Sequence, residues 1–213
     1  MRSTINLYEG DCLPAMKKMV DNQYDLVIVD VPYGIGEDGH CRTRLKHNNK
    51  VKHIKKDWDK NKPSSEYWEE LFRVSENQII CGANYFTKHL PSSMGWIFWD
   101  KKIGGDFSDG EFIYTSFNRA AKLISIWCET GSGAPDRIHP TQKPVALYKW
   151  LLKNYAKPGD NIMDTHGGSM GIAIACWDAG HDLDLFEIDH DYFEAGKKRL
   201  EIHRSQLQIN YKL

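Results

Sequence analysis

Short apolar runs rich in β-branched and aromatic residues recur along the chain, at 5–8, 24–29, 78–81, 96–99, 123–127, 161–163 and 183–186. Each is too short for a buried helix and is flanked by polar or turn-forming residues, which predicts buried strands. Between them the period changes to that of a helix. Residues 64–74 follow Pro63 and carry Tyr67, Leu71, Phe72 and Val74 on one face. Residues 145–155 follow Pro144, and 170–179 are small and apolar with Gly180 at the end. Residues 191–203 place acids early and Lys197, Lys198 and Arg199 late, as the helix dipole favours. Strands alternating with helices predict an α/β fold: a mostly parallel, seven-stranded sheet with helices on both faces. No internal repeat is present.

The stretch 40–62 breaks this pattern. It has almost no apolar periodicity and carries Arg42, Arg44, Lys46, Lys50, Lys52, Lys55 and Lys56 with His40, His47 and His53. A long loop of this kind in a compact domain reads as functional or as a solvated charge run. Its three histidines and Cys41 fit no standard zinc spacing, so no metal is expected.

Composition changes the picture little. The chain has 213 residues, 41% hydrophobic and 27% charged, with a formal net charge of -1. One domain spanning 1–213 is expected. A nucleic-acid partner would have to be met by a local patch, since bulk charge is near zero. Five cysteines without a Cys-x-x-Cys pair point to a reducing cytosol. No apolar run is long enough to span a bilayer, and no membrane role is expected.

Four segments carry candidate chemistry. Asp30-Val31-Pro32-Tyr33 directly follows Asp25-Leu26-Val27-Ile28-Val29, and ligands in open α/β sheets bind beyond the carboxyl ends of strands. There a carboxylate and a backbone carbonyl can each accept one N–H of an exocyclic amine, and a tyrosine can stack on a base. Asp164-Thr165-His166-Gly167-Gly168-Ser169 links a strand to a helix, where glycines allow close approach of a cofactor. The next strand ends in Glu187-Ile188, roughly 20 residues on, where an acid can hold ribose hydroxyls. That unit suits any adenosine-containing cofactor, NAD included. His139-Pro140-Thr141-Gln142-Lys143 precedes a helix whose N-terminus can hold an anionic group. Asp11-Cys12 follows the first strand, where Asp11 either caps a helix or contacts adenine.

In this order the four segments resemble the amino-methyltransferases of bacterial and phage DNA modification, in particular the β class. The resemblance runs from about Leu7 to Leu200 and includes Cys81-Gly82-Ala83-Asn84-Tyr85-Phe86 and Phe107-Ser108-Asp109-Gly110-Glu111. It implies a Rossmann-like fold that uses S-adenosylmethionine and methylates flipped bases in double-stranded DNA. It implies catalytic roles for Asp30, Val31, Pro32 and Tyr33. It implies cofactor contacts by Asp11, Cys12, Asp30, His139, Thr141, Gln142, Lys143, Asp164, Thr165, His166, Gly167, Gly168, Ser169, Glu187 and Ile188. The aspartate opening the catalytic motif favours adenine N6, with cytosine N4 as the alternative. Val31 replaces the family's first proline, and Thr165, His166, Met170 and Gly171 replace its Pro, Phe, Gly and Thr. Met170 is expected to add bulk at the cofactor loop and weaken binding.

The basic loop, about 35–62, is the expected DNA contact, and the recognition region, about 117–138, is very short for the family. A homodimer and a separate specificity or restriction partner are both open. C5-cytosine methylation is disfavoured on chemical grounds, since it needs a thiolate nucleophile and no cysteine follows a proline. A zinc deaminase is excluded because His-x-Glu and Pro-Cys-x-x-Cys are absent. An NAD-dependent oxidoreductase leaves 30–33 and 139–144 unexplained. A degenerate relative that binds DNA without turnover would keep the fold but not the cofactor.

Overall fold

The computed structural model describes residues 3–36, 56–103, 108–128 and 137–210. Along the chain these form β1 (Ile5–Glu9), α1 (Cys12–Met16), β2 (Tyr24–Val29), α2 (Ser65–Val74), β3 (Ser75–Ile80), β4 (Ile97–Asp100), β5 (Gly110–Thr115) and β6 (Lys122–Ser125). They continue as α3 (Val145–Tyr155), β7 (Asn161–Asp164), α4 (Gly171–Ala179), β8 (Asp182–Glu187) and α5 (His190–Asn210). No helix among them is long and apolar enough to cross a membrane.

All strands join one sheet in the order β1-β8-β7-β2-β3-β5-β4-β6. The sheet is mostly parallel, as expected, but has eight strands among the described residues rather than seven. The additional strand is β5, which runs antiparallel to both β3 and β4. Its pattern hid it, because the inward-facing series Glu111, Ile113, Thr115 begins with a charge. Two other boundaries differ by more than two residues. β3 begins at Ser75, where the chain leaves α2 without a loop. α5 runs past His203 to Asn210 because no glycine or proline follows to stop it.

Helices cover both faces. α3 and α4 pack Leu147, Leu151, Ala173 and Cys176 against Leu26, Ile28, Ile162 and Leu185. On the other face α1 and α2 set Met16, Trp68 and Leu71 against Val27, Val29, Ile80 and Met163. Leu26, Val27, Ile28 and Val29 are each fully buried, and burying each such side chain stabilises by about 1.5–3 kcal/mol. A strand apolar on both faces cannot set its register by alternation. Its polar ends do so. Asp25 accepts a 2.8 Å hydrogen bond from the Asn161 amide, and a one-residue slip would drag Asp25 or Asp30 into the core. This pins Asp30 at the carboxyl edge beside the end of β7.

Candidate active site

At that edge Asp30 is the hub of a buried polar cluster. Its Oδ1 accepts from Lys143 Nζ at 2.6 Å and from the Tyr33 hydroxyl at 2.7 Å. Lys143, only 5% exposed, also lies 3.0 Å from the Tyr33 oxygen and 3.1 Å from Glu111 Oε1. The Tyr33 hydroxyl is 3.0 Å from that same Glu111 oxygen. A phenol has one proton, and the shorter distance directs it to Asp30. Burial first, then the charges of Asp30 and Glu111, push the phenol well above its ordinary range, so it stays a donor. Burial also raises the Asp30 carboxyl, while Lys143 pulls it down. Oδ2 has no hydrogen bond among the described residues and keeps its lone pairs.

The Tyr33 ring is held as firmly as its hydroxyl. Gly82 adopts φ +62, and a Cβ there would stand 2.2 Å from Tyr33 Cζ. The ring stacks on Tyr85 at 4.8 Å and meets Phe86 edge-on. Tyr85 is 37% exposed and forms the outer plate.

The predicted cofactor loop lies beside this cluster, after β7. Asp164 Oδ1 accepts from the His166 amide at 2.9 Å. The Gly167 amide donates to the Phe186 carbonyl, and the Gly168 amide donates to Glu187 Oε2 at 2.6 Å. Gly10, Asp11, Cys12, Thr165, His166, Glu187 and Ile188 line one hollow. The sequence reading had singled out all of these except Gly10. Asp11 caps α1 by accepting from the Leu13 amide at 2.9 Å, so the capping role is realised while Asp11 also lines the hollow. Burial pushes the Asp164 carboxyl up to about 8 and raises Glu187.

Met170 does not do what its loop position suggested. It is fully buried, takes φ +55 at the start of α4 and turns its side chain into the core. There it fills the space left by Gly196, where a Cβ would stand 2.6 Å from Met170 Cγ. Its bulk is therefore directed away from the hollow.

The residues of the third motif separate. Lys143 joins Asp30. Gln142 Oε1 accepts from the Ile138 amide, and Thr141 hydrogen-bonds the His139 ring. His139 packs between Trp58 and Tyr192, with ring centroids 5.0 and 4.3 Å away. Ser169 offers its carbonyl to Arg199. The segment 56–62 straps this side of the site. Lys56 pairs with Asp189 and Asp191 at 2.5 and 2.7 Å. Asp59 accepts from the Gly34 amide, and Lys62 donates to the Tyr85 carbonyl. Lys56 therefore commits its charge to protein carboxylates rather than leaving it for phosphate. Arg42, Arg44, Lys46, Lys50, Lys52 and Lys55 lie outside the described residues, as do His40, Cys41, His47, His53 and residues 129–136 of the short recognition region.

Sequence reasoning passed over Glu111 as a functional group, and Lys101, which pairs with Glu111 Oε2 at 3.1 Å. The available signal was an acid in phase with Ile113 and Thr115. It also missed Tyr67, whose hydroxyl bonds Thr165 Oγ1 at 2.7 Å while Thr165 Oγ1 bonds His166 Nδ1 at 2.8 Å.

Burial holds the His166 imidazole down to about 4. The unfolded chain would take up a proton near its ordinary pKa of about 6.5. Stability contributed by the neutral ring is therefore complete above that value and is lost as pH falls from about 6.5 to 4. The ring keeps some solvent contact, so the expected loss is about 2 kcal/mol. Thermal melts of wild type and His166→Phe should diverge on acidification, with the variant holding its Tm better. Parallel curves would refute this origin for the pH dependence.

The chain has relatives of known sequence and structure. The chain is 24% identical to the type II methyltransferase M.HpaI of Haemophilus parainfluenzae, over 90% of this chain and 73% of that protein. It is likewise 24% identical to the type II methyltransferase M2.MboI of Moraxella bovis, over 91% and 86%. Among solved structures it superimposes on the M1.HpyAVI–SAM complex with TM-score 0.61 and 17% identity, covering 92% of this chain and 98% of that one. It superimposes on the cytosine-N4-specific PvuII DNA methyltransferase with TM-score 0.63 and 12% identity, covering 92% and 86%. These superpositions establish the fold. Residues 86–198 match the N6/N4 DNA methylase family. That span includes Glu111, Lys143, the 164–171 loop and Glu187, and with it the chain belongs to the N6/N4 DNA methylase family.

Proposed function

We propose that this DNA amino-methyltransferase acts on the N6 amino group of adenine in double-stranded DNA, with S-adenosylmethionine as methyl donor. The observation that carries the reading is Asp30, held at the end of β2 by Lys143 and Tyr33 with Oδ2 still able to accept. The aspartate that opens the motif favours adenine. The 12%-identical cytosine-N4-specific neighbour supplies the second reading, cytosine N4, which poses the same geometric problem.

The hollow suits the nucleoside end of the donor. Glu187 offers a carboxylate for vicinal hydroxyls, while Cys12, Ile188 and the His166 ring offer apolar surface. Bound there, S-adenosylmethionine would supply an electrophilic methyl group on a sulfonium. The chain's own residues do the rest. Asp30 Oδ2 accepts one N–H of the extruded base's amino group and the Val31 carbonyl accepts the other. Both bonds raise the electron density on nitrogen and aim its lone pair. Tyr33 stacks on the base, which enters by displacing Tyr85. Alignment and fixed electrostatics supply most of the acceleration.

The test is nucleoside mass spectrometry of DNA from an unmodified bacterial host expressing the chain. N6-methyladenine is the expected product. N4-methylcytosine alone would reverse the base assignment, and unmodified DNA together with no calorimetric binding of S-adenosylmethionine would favour a degenerate relative.

A further inference from the structure

Glu111 meets three polar partners in the site, Lys143, Lys101 and the Tyr33 hydroxyl. It is 8% exposed on β5, far from Asp30 in sequence, yet both Asp30 and Glu111 grip the same ammonium. Lys143 Nζ lies 2.6 Å from Asp30 Oδ1 and 3.1 Å from Glu111 Oε1. The second Glu111 oxygen is held by Lys101 at 3.1 Å. Two carboxylates and two ammoniums thus form a neutral buried set around one phenol.

The arrangement meets two opposing demands on Asp30. A buried carboxylate with no cation would take up a proton and lose its acceptor role. One that owned a lysine outright would have its electron density drawn to that lysine and away from the substrate amine. We infer that Glu111 is a positioning residue for methyl transfer: by sharing Lys143 and the Tyr33 hydroxyl with Asp30, it keeps Lys143 from pairing with Asp30 alone and leaves Asp30 free to accept the amine N–H. The inference rests on the catalytic reading of Asp30.

The electrostatics have a definite sign. Facing the pair are Lys143 from the turn before α3, Lys101 after β4, Tyr33, Cys81 after β3, Cys128, Tyr148 of α3 and Asp164 of β7. The negative charge of Glu111 pushes the Asp30 carboxyl up, and Lys143 pulls it down. Removing that charge without changing shape, in Glu111→Gln, leaves two lysines facing one carboxylate, and Lys143 closes on Asp30 alone. Removing Lys101 instead, in Lys101→Met, strengthens the negative side and moves Asp30 the other way.

The experiment follows tritium transfer from labelled S-adenosylmethionine into unmethylated genomic DNA across pH, with calorimetric binding of the same cofactor measured in parallel. For Glu111→Gln the expected result is a fall in kcat of roughly tenfold or more, an acid limb of the kcat–pH profile displaced to lower pH, and cofactor affinity within about twofold of wild type. Lys101→Met is expected to displace the acid limb to higher pH, and Glu111→Asp to return the limb toward its wild-type position. A positioning charge requires opposite displacements, whereas a residue that merely fills space would move neither limb. Should Glu111→Gln fail to fold by circular dichroism, Lys101→Met carries the test alone. If Asp30→Asn is inactive while Glu111→Gln keeps wild-type kcat and an unmoved acid limb, the inference falls and the catalytic reading stands. If Asp30→Asn stays active, the catalytic reading itself falls.

Discussion

Asp30→Asn is expected to lower methyl transfer by roughly three orders of magnitude, about 4 kcal/mol of transition-state stabilisation, while binding S-adenosylmethionine within about twofold of wild type. The split follows from where Asp30 sits. It ends β2 and is bound to Lys143 and Tyr33, and it does not line the hollow bounded by Asp11, His166 and Glu187. Asparagine keeps the shape and one acceptor oxygen but surrenders the charge that polarises the amine. It also leaves Lys143 with Glu111 as a partner, so the fold should survive. Transfer within tenfold of wild type would remove Asp30 from the chemistry. A parallel collapse of cofactor binding would mean that the two halves of the site are not separable as described.

Lys143→Met should do most harm to stability. Methionine matches the length of the lysine stem but leaves the carboxylates of Asp30 and Glu111 close together in the interior without the cation between them. Removing one partner of a buried ion pair typically costs about 3–5 kcal/mol, which for a chain of this size lowers Tm by roughly 6–20 °C. The sign of the pH dependence distinguishes this from a packing defect. Without Lys143 the two acids hold their protons more tightly when folded than when unfolded. A raised acid contributes stability at low pH that is lost as pH rises through its folded pKa. The deficit relative to wild type should therefore be larger at pH 8 than at pH 5. A deficit independent of pH would point to lost packing rather than to two uncompensated charges.

What the sequence made visible followed from physical exclusivity. A four-residue apolar segment such as 26–29, with Asp25 and Asp30 at its flanks, has few places to go except the middle of a parallel sheet. Asp30 was then bound to emerge at its carboxyl edge. Asp164 to Gly168 was equally legible, because a glycine pair between a strand and an apolar helix serves few purposes. The hidden parts were those in which two distant positions answer each other. Glu111 stood in a family-like segment without a role of its own, because its counter-charges, Lys101 and Lys143, are contributed by other elements. Lys143 looked like a cofactor contact because helix N-termini bind anions, but the anion it found was Asp30. Met170 looked obstructive because its left-handed backbone, which sends the side chain toward Gly196, has no signature in composition. The strand β5 was lost for the same reason as Glu111, since one inward charge disguises an alternation that is otherwise regular.

The order of strands across the sheet also bears on how the molecule is made. β1 pairs with β8 and β2 with β7, and the hydrogen bond from Thr4 to Asp182 spans 178 residues. During synthesis at about 5–20 residues per second, β2 can meet β3 early, but its other edge has no partner until β7 emerges. Closing such long-range pairings is slow, and the waiting edge is open to wrong partners. The strand that ends in Asp30 is thus completed among the last, after the segments carrying Glu111 and Lys143 have left the ribosome. A nascent chain released before that point would hold the residues of the charge cluster but lack the partner for the inner edge of β2 and the 164–187 loop and strand end, so its site would be incomplete.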